Sequence, residues 1–269
     1  MLSMNTPFHA LHHGDTPLLL PNAWDHASAT LLVEAGFRAI GTTSFGVAAA
    51  HGLPDGHGRT REHVVRLAEL LAPLPCLLTV DIESGFSADP AEVAELAADL
   101  FALGVVGINL EDSREHDRLA DPAEQTELIA AVKRRVPGLF VNARVDTYWI
   151  GVDADLGPTL ARAGQYRAAG ADGIFVPGEL GAGDIAALVR SLDVPLNVLH
   201  RPHLYSVTEL ARWGVNRIST GSHLFRTALA TARDTALDLA RSLAPRDGTS
   251  DNSSLVAQDG TSGNLGSTM

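Results

Sequence analysis

The sequence predicts one (β/α)8 barrel followed by a polar tail, and three observations predict it. Its 269 residues lie close to the roughly 250 that one such barrel needs. Short β-rich apolar runs alternate along it with Ala/Leu/Arg/Glu-rich stretches of helical period. Four junctions repeat one order of helix end, glycine and strand: Glu34-Ala-Gly-Phe-Arg-Ala-Ile-Gly-Thr-Thr, Ala102-Leu-Gly-Val-Val-Gly-Ile-Asn-Leu-Glu, Ala168-Ala-Gly-Ala-Asp-Gly-Ile-Phe-Val-Pro and Arg212-Trp-Gly-Val-Asn-Arg-Ile-Ser-Thr-Gly. Such repeats suit a parallel sheet, where a C′ glycine closes each helix before the next strand. No Gly-rich dinucleotide fingerprint follows the first strand, which favours a barrel over an open doubly wound sheet.

Eight strands are expected, at Leu18–Pro21, Ala39–Thr43, Leu77–Ile82, Val105–Leu110, Leu139–Ala143, Gly173–Val176, Leu196–Leu199 and Arg217–Thr220. Helices are expected near 25–35, 60–72, 90–103, 122–135, 155–169, 181–191, 206–212 and 223–243. Asp89-Pro90 and Asp121-Pro122 each place an N-cap before an N1 proline. Lys133-Arg-Arg, just before Pro137 and Gly138, reads as a last helical turn, where cations meet the negative end of the helix dipole. The barrel is expected to occupy residues 1–244. From 245 to 269 the composition turns to Gly, Ser, Thr, Asn and Asp, with Asp-Gly-Thr-Ser at 247–250 and again at 259–262. That stretch cannot bury enough apolar surface to offset chain entropy, so a disordered tail is expected.

Composition narrows the function. With 45% hydrophobic and 19% charged residues, the chain can build a sizeable core, which excludes a wholly disordered or collagen-like protein. Its 32 acidic against 20 basic residues, net −12, leave no footprint for nucleic acid or an anionic membrane. Only one of the basic residues is a lysine, Lys133, which removes most candidates for Schiff-base chemistry. The single cysteine, Cys76, excludes an intramolecular disulfide and a Cys-rich metal site; in its apolar run it reads as a small buried strand residue. The N-terminal residues lack the pattern of a secretory signal, and no stretch approaches the roughly 20 apolar residues of a membrane span. A reducing cytoplasm is the expected compartment.

In such a barrel the active site lies at the C-terminal ends of the strands. Those ends carry Thr42, Thr43 and Ser44; Asp81 and Glu83; Glu111 and Asp112; Arg144 and Asp146; and Asn197 and His200. Asp81 and Glu83, two residues apart, point to one side of an extended chain, and Glu111 ends the neighbouring strand. Three carboxylates in one mouth are costly unless a cation balances them, and an all-oxygen set favours a hard ion such as Mg²⁺. The alternative is that Asp81 and Glu83 cap loops or pair with arginines; Glu111 and Arg144 tip the balance toward the metal. Arg144 offers a guanidinium fork for Glu111 or for a substrate carboxylate. Thr43, Ser44 and the backbone at Phe45 form a donor-rich turn suited to a carboxylate. Glu115 and His116 lie on a loop that could act as a lid carrying an acid or base.

Seven segments, read in order, resemble the isocitrate lyase/phosphoenolpyruvate mutase superfamily: Leu20-Pro-Asn-Ala-Trp-Asp-His-Ala-Ser-Ala, Ile40-Gly-Thr-Thr-Ser-Phe-Gly-Val-Ala, Gly52-Leu-Pro-Asp-Gly, Val80-Asp-Ile-Glu-Ser-Gly-Phe, Gly107-Ile-Asn-Leu-Glu-Asp-Ser, Asn142-Ala-Arg-Val-Asp and Ala169-Gly-Ala-Asp-Gly-Ile-Phe-Val-Pro. The resemblance implies a barrel whose last helix is exchanged between subunits, in a homodimer or homotetramer. It implies Mg²⁺ near Asp81, Glu83 and Glu111, and active-site roles for Asp55, Arg144 and Glu111, to which the loop reading adds His116 as a catalytic candidate. It also implies that a small carboxylic acid is gripped by Thr43, Ser44 and the Phe45 amide with Arg144 adding charge, and Trp24 and Asn197 are further substrate-binding candidates. The reaction implied is cleavage of a C–C bond in a small 2-oxo or 2-hydroxy acid through an enolate-like fragment, oxaloacetate decarboxylation being one form. P–C chemistry on a phosphonopyruvate-like acid is an alternative, and a non-catalytic acid-binding barrel is another. The family's usual Asp-x-Asp is here Asp81-Ile-Glu83, and the Lys-Lys-Cys-Gly-His loop of isocitrate and methylisocitrate lyases is missing, which argues against those two activities.

Overall fold

The computed structural model describes residues 6–115 and 117–243. Eight parallel strands form the expected barrel: β1 (Leu18–Leu20, resumed after Pro21 as Asn22–Ala23), β2 (Ala39–Thr42), β3 (Leu77–Asp81), β4 (Gly107–Leu110), β5 (Phe140–Arg144), β6 (Gly173–Val176), β7 (Leu196–Leu199) and β8 (Arg217–Ser219). Closure happens at β1. Leu18 to Leu20 pair with Arg217 to Ser219 of β8, while Asn22 and Ala23 pair with Gly41 and Thr42 of β2. Pro21 separates the two stretches because it has no N–H for the ladder, although its carbonyl still accepts from Gly41.

Gly36, Gly104, Gly170 and Gly214, the junction glycines of the four repeats, have φ of +94°, +97°, +107° and +84°. This is the left-handed backbone that ends a helix and that a side chain disfavours. Asp89 and Asp121 cap Pro90–Ala102 and Pro122–Arg135 as expected, each side chain accepting from the second helical N–H. Three short helices were not legible beforehand: Pro7–Ala10, Ser44–Ala50 and Thr147–Ile150. The last two open directly at the barrel mouth. Cys76 lies one residue before β3 and is half-buried rather than inside the strand.

Strand alternation sorts the core. Leu78, Val80, Ile108, Leu110, Val141, Ile174, Val176, Val198 and Ile218 join the helices in one apolar layer; each fully buried aliphatic side chain contributes about 1.5–3 kcal/mol. The intervening positions, Thr79, Asp81, Asn109, Asn142, Arg144, Asn197, Arg217 and Ser219, are buried polar residues on the opposite strand face. A small second cluster of Phe8, Leu20, Ala39 and Phe140 closes the far end, with His12 stacked on Phe140 at 4.3 Å.

The chain divides into two compact units, one ending at Phe225 and one beginning at Arg226. The last helix runs from His223 to Ser242, so the described part of the second unit, 226–243, is most of that helix and Leu243. The tail expected at 245–269 lies outside the described residues. No helix among the described residues is long and apolar enough to cross a membrane.

Candidate active site at the barrel mouth

Asp81 ends β3 and faces the barrel interior. Its N–H donates to Thr42 Oγ1 at 2.9 Å, and its Oδ1 accepts the N–H of Glu83 at 3.0 Å. Its other oxygen lies 3.5 Å from Asn109 Nδ2 and 3.9 Å from Arg144 Nη1. Burial pushes the Asp81 carboxyl up from its ordinary range; Arg144 pulls it down, and Asp55 nearby pushes it up again.

Glu111, at the end of β4, lies 2.5 Å from Arg144 Nη1 and is almost fully buried. Burial raises its pKa well above the carboxylate range despite that arginine. Arg144 grips Asp146 through both arms of its fork, Nε to Oδ1 and Nη2 to Oδ2, each at 3.1 Å. Burial works against its charge, but Asp146, Glu111 and Asp81 outweigh that cost and raise its pKa. Asp146 is itself held: its N–H donates to Asp112 at 2.8 Å and its Oδ2 accepts the Ser113 hydroxyl at 2.6 Å. Asp112 accepts from Tyr166 and Arg162, and burial followed by the charge of Asp146 pushes it up to about 6. The guanidinium therefore rests on a continuous buried scaffold.

A cavity of about 70 Å³ opens at this mouth. Its lining combines polar residues, Asn22, Thr42, Thr43, Ser44, Asp81, Asn109, Arg144, Ser219 and Ser222, with apolar ones, Phe45, Trp149, Phe175, Pro177 and Leu199. Thr43 caps Ser44–Ala50, its hydroxyl accepting from Gly46 at 3.5 Å. That helix can start so near because Gly46 has no Cβ: one added there would lie 2.7 Å from Trp24 Cβ.

Several expected residues therefore meet. Asp81, Thr43, Ser44, Phe45 and Arg144 all line the cavity. Others lie elsewhere. Glu83, expected as a metal ligand, has a left-handed backbone, φ +49°. Its two oxygens are taken by the Gly58 N–H, at 2.9 Å, and the Thr60 hydroxyl. It anchors the 58–60 loop. Glu111 sits against Arg144 and does not line the cavity. Trp24, expected to bind substrate, packs edge-on against Phe225 at 5.3 Å. Asn197 is buried beneath the cavity and accepts from Ser219. Asp55 is off the cavity lining, yet its charge is felt at Asp81, Glu83 and Glu111. His116 lies outside the described residues. Arg114, a possible cation of the same loop, donates to the carbonyls of Glu111 and Ser113 and to Gln125.

Asn22, Asn109, Ser219, Trp149 and Phe175 were not foreseen as cavity residues. Period 2 would have found Asn109 and Ser219, since each is a polar residue among outward-facing aliphatics. Trp149 had no signal, because Thr147–Ile150 is a loop helix.

Among the described residues no three His, Cys, Asp or Glu side chains converge as a metal-binding group. In this arrangement Glu83 is turned to Gly58 and Thr60, and Glu111 to Arg144. The donor chemistry nevertheless suits a hard cation. Asp81, Glu111 and Asp146 face one guanidinium, and burial raises the pKa of the first two. Mg²⁺ commonly keeps several waters and takes only one or two carboxylates, a role open to Asp81 at the cavity wall.

A closed parallel barrel with buried carboxylates and a clamped arginine at its mouth is an enzyme-type scaffold. The family model for phosphoenolpyruvate phosphomutase matches residues 8–240, and the chain belongs to the isocitrate lyase/phosphoenolpyruvate mutase superfamily. It is 47% identical over 229 residues to an uncharacterised protein of Mycobacterium tuberculosis strain H37Rv, covering 85% of this chain and 87% of that protein. A crystal structure of a candidate phosphonomutase from Burkholderia cenocepacia J2315 superposes with TM-score 0.81 at 37% identity, covering 85% of this chain and 97% of that one. Oxaloacetate decarboxylase from Pseudomonas paraeruginosa strain PA7 is 26% identical, covering 79% and 77%.

Proposed function

We propose that this protein is a Mg²⁺-dependent lyase that cleaves a C–C bond of a small 2-oxo or 2-hydroxy carboxylic acid through an enolate-like fragment, with an oxaloacetate-type decarboxylation as one form. The observation that carries this reading is the presence of Asp81 in the lining of a small cavity that also holds hydroxyl and amide donors, Thr43, Ser44, Asn22 and Asn109. Mg²⁺, when bound, supplies Lewis-acid stabilisation of the developing enolate charge.

The chain's own groups do the rest. Asp81 would hold the ion, with Glu111 and Arg144 behind it balancing the local charge. Thr43, Ser44 and the opening turn of Ser44–Ala50 donate to the substrate carboxylate, as the start of a helix does for anions. Arg144, already committed to Glu111 and Asp146, adds a fixed positive field rather than a free fork. Trp149, Phe175 and Leu199 keep water from the reacting carbon.

The relative that decarboxylates oxaloacetate supports the C–C reading. The phosphonate alternative needs a cation on the 113–121 loop, where Arg114 is spent on its own loop and Arg118 is exposed. For assembly, the proposal is a homodimer or homotetramer with the last helix exchanged, supported by most of that helix falling in a separate compact unit. A soluble cytoplasmic setting, without nucleic-acid or membrane partners, fits the acidic composition.

The test is a panel of 2-oxo and 2-hydroxy diacids, with pyruvate release followed with Mg²⁺ and with excess EDTA. Turnover lost on chelation supports the proposal. Phosphate release from phosphonopyruvate with no diacid cleaved would assign P–C chemistry instead. Binding without turnover of either would leave an acid-binding barrel.

A further inference from the structure

Arg217 lies at the start of β8, fully buried in the barrel interior. Its Nη1 has no hydrogen-bond partner, and burial pushes its pKa down to about 9 against the opposing charge of Asp81. Aliphatic side chains usually fill this layer of such a barrel. A buried guanidinium without an ion partner costs stability, so its retention calls for another reason.

Its contacts supply one. Nη2 donates to Asn109 Oδ1 at 3.3 Å, and the same oxygen accepts from Asn142 Nδ2 at 2.8 Å. Nε lies 3.4 Å from Ser219 Oγ, and Ser219 donates its proton to Asn197 Oδ1 at 3.1 Å. A guanidinium can only donate. Asn109 must therefore turn its oxygen down to Arg217 and its NH2 up toward Asp81; the flipped amide would set donor against donor. Ser219 likewise must send its proton sideways, leaving one lone pair for the cavity. Asn109 and Ser219 line the cavity, while Arg217 does not.

We propose that Arg217 is a positioning residue that fixes the hydrogen-bond polarity of the cavity floor through Asn109 and Ser219. This rests on the reading of the Asp81 cavity as the acid-binding site. The test uses the full chain and oxalate, a planar dianion resembling an enolate acid, titrated calorimetrically in the presence of Mg²⁺ alongside thermal melts.

Arg217→Met is expected to weaken oxalate binding by about tenfold while leaving the melting temperature unchanged or higher, because an unpaired buried charge has gone. Arg217→Lys, still donor-only, is expected to stay within about threefold of the parent. Arg217→Met added to Asn109→Leu is expected to weaken binding no further, since the effect passes through Asn109. A lower melting temperature with unchanged oxalate affinity, or fully additive losses, would overturn the proposal. If Arg217→Met does not fold, Arg217→Gln, which can also accept, takes its place under the same criteria. If the parent protein fails to bind oxalate, the acid-binding reading fails. The Arg217–Asn109 coupling is then decided by a denaturant double-mutant cycle, in which a zero coupling sinks the positioning role as well.

Discussion

Arg144 and Asp146, two residues apart at the end of one strand, hold each other through two parallel hydrogen bonds of 3.1 Å. The pair leaves Nη1 as the arm that meets Glu111 at 2.5 Å. Asp146 thereby decides where the site's positive charge points. Asp146→Asn keeps the shape and removes the charge, leaving a buried guanidinium undercompensated. The expected cost is about 3–5 kcal/mol of stability, and a fall in turnover of about 100-fold or more as Arg144 drifts. Chemical denaturation and steady-state kinetics on one preparation check both.

Glu83 separates a loop anchor from a metal ligand. Because its oxygens serve Gly58 and Thr60, Glu83→Gln can keep both contacts if the Thr60 hydroxyl turns to accept. Its expected cost is about tenfold or less in kcat/KM, with the Mg²⁺ concentration for half-activation little changed. Glu83→Ala frees the loop and raises KM. A large rise in the Mg²⁺ requirement of Glu83→Gln would restore Glu83 as a ligand.

His12 predicts the acid limb of stability. Burial first, then the charge of Arg217, lowers its pKa from 6.5 to about 3, and its Nδ1 bonds to the Phe8 carbonyl at 2.9 Å. Between those two values the unfolded chain binds a proton that the folded chain refuses. This contribution is whole above about pH 6.5 and falls as pH drops toward 3, by up to about 1.4 kcal/mol per pH unit. Urea midpoints at pH 7 and pH 5 should differ less in His12→Gln than in the parent.

Lys133 predicts the opposite of a catalytic lysine. Its ammonium donates to the carbonyls of Pro137 and Leu139 and to Asp172 at 2.7–3.0 Å. Lys133→Met is expected to cost about 1–3 kcal/mol of stability, with kcat held within about twofold because no Schiff base is involved. Loss of turnover at unchanged stability would contradict this.

The barrel was legible because its signals are local. A glycine after each helix, an Asp-Pro at two helix starts and aliphatic alternation on the strands each act within a few residues, and the observed backbone follows them. The strand-end residues were legible for the same reason: parallel strands bring their C-terminal ends together whatever fills the loops. Thr43, Ser44, Asp81 and Arg144 meet at one cavity as strand register requires. What the sequence by itself determined, then, was the ring of strands and the acidic character of its mouth.

Tertiary structure decided what each acid does. Asp81 and Glu83 share a period-2 spacing, yet the left-handed turn at Glu83 sends its side chain to a loop 25 residues earlier. Trp24 became a wedge against Phe225 because Gly46 lets the following helix close in. Arg217 carries no motif, and its role follows only from hydrogen bonds to a strand 108 residues away. Backbone propensity is set by neighbours in sequence, whereas the partner of a buried charge is set by neighbours in space, so only the folded barrel could assign them.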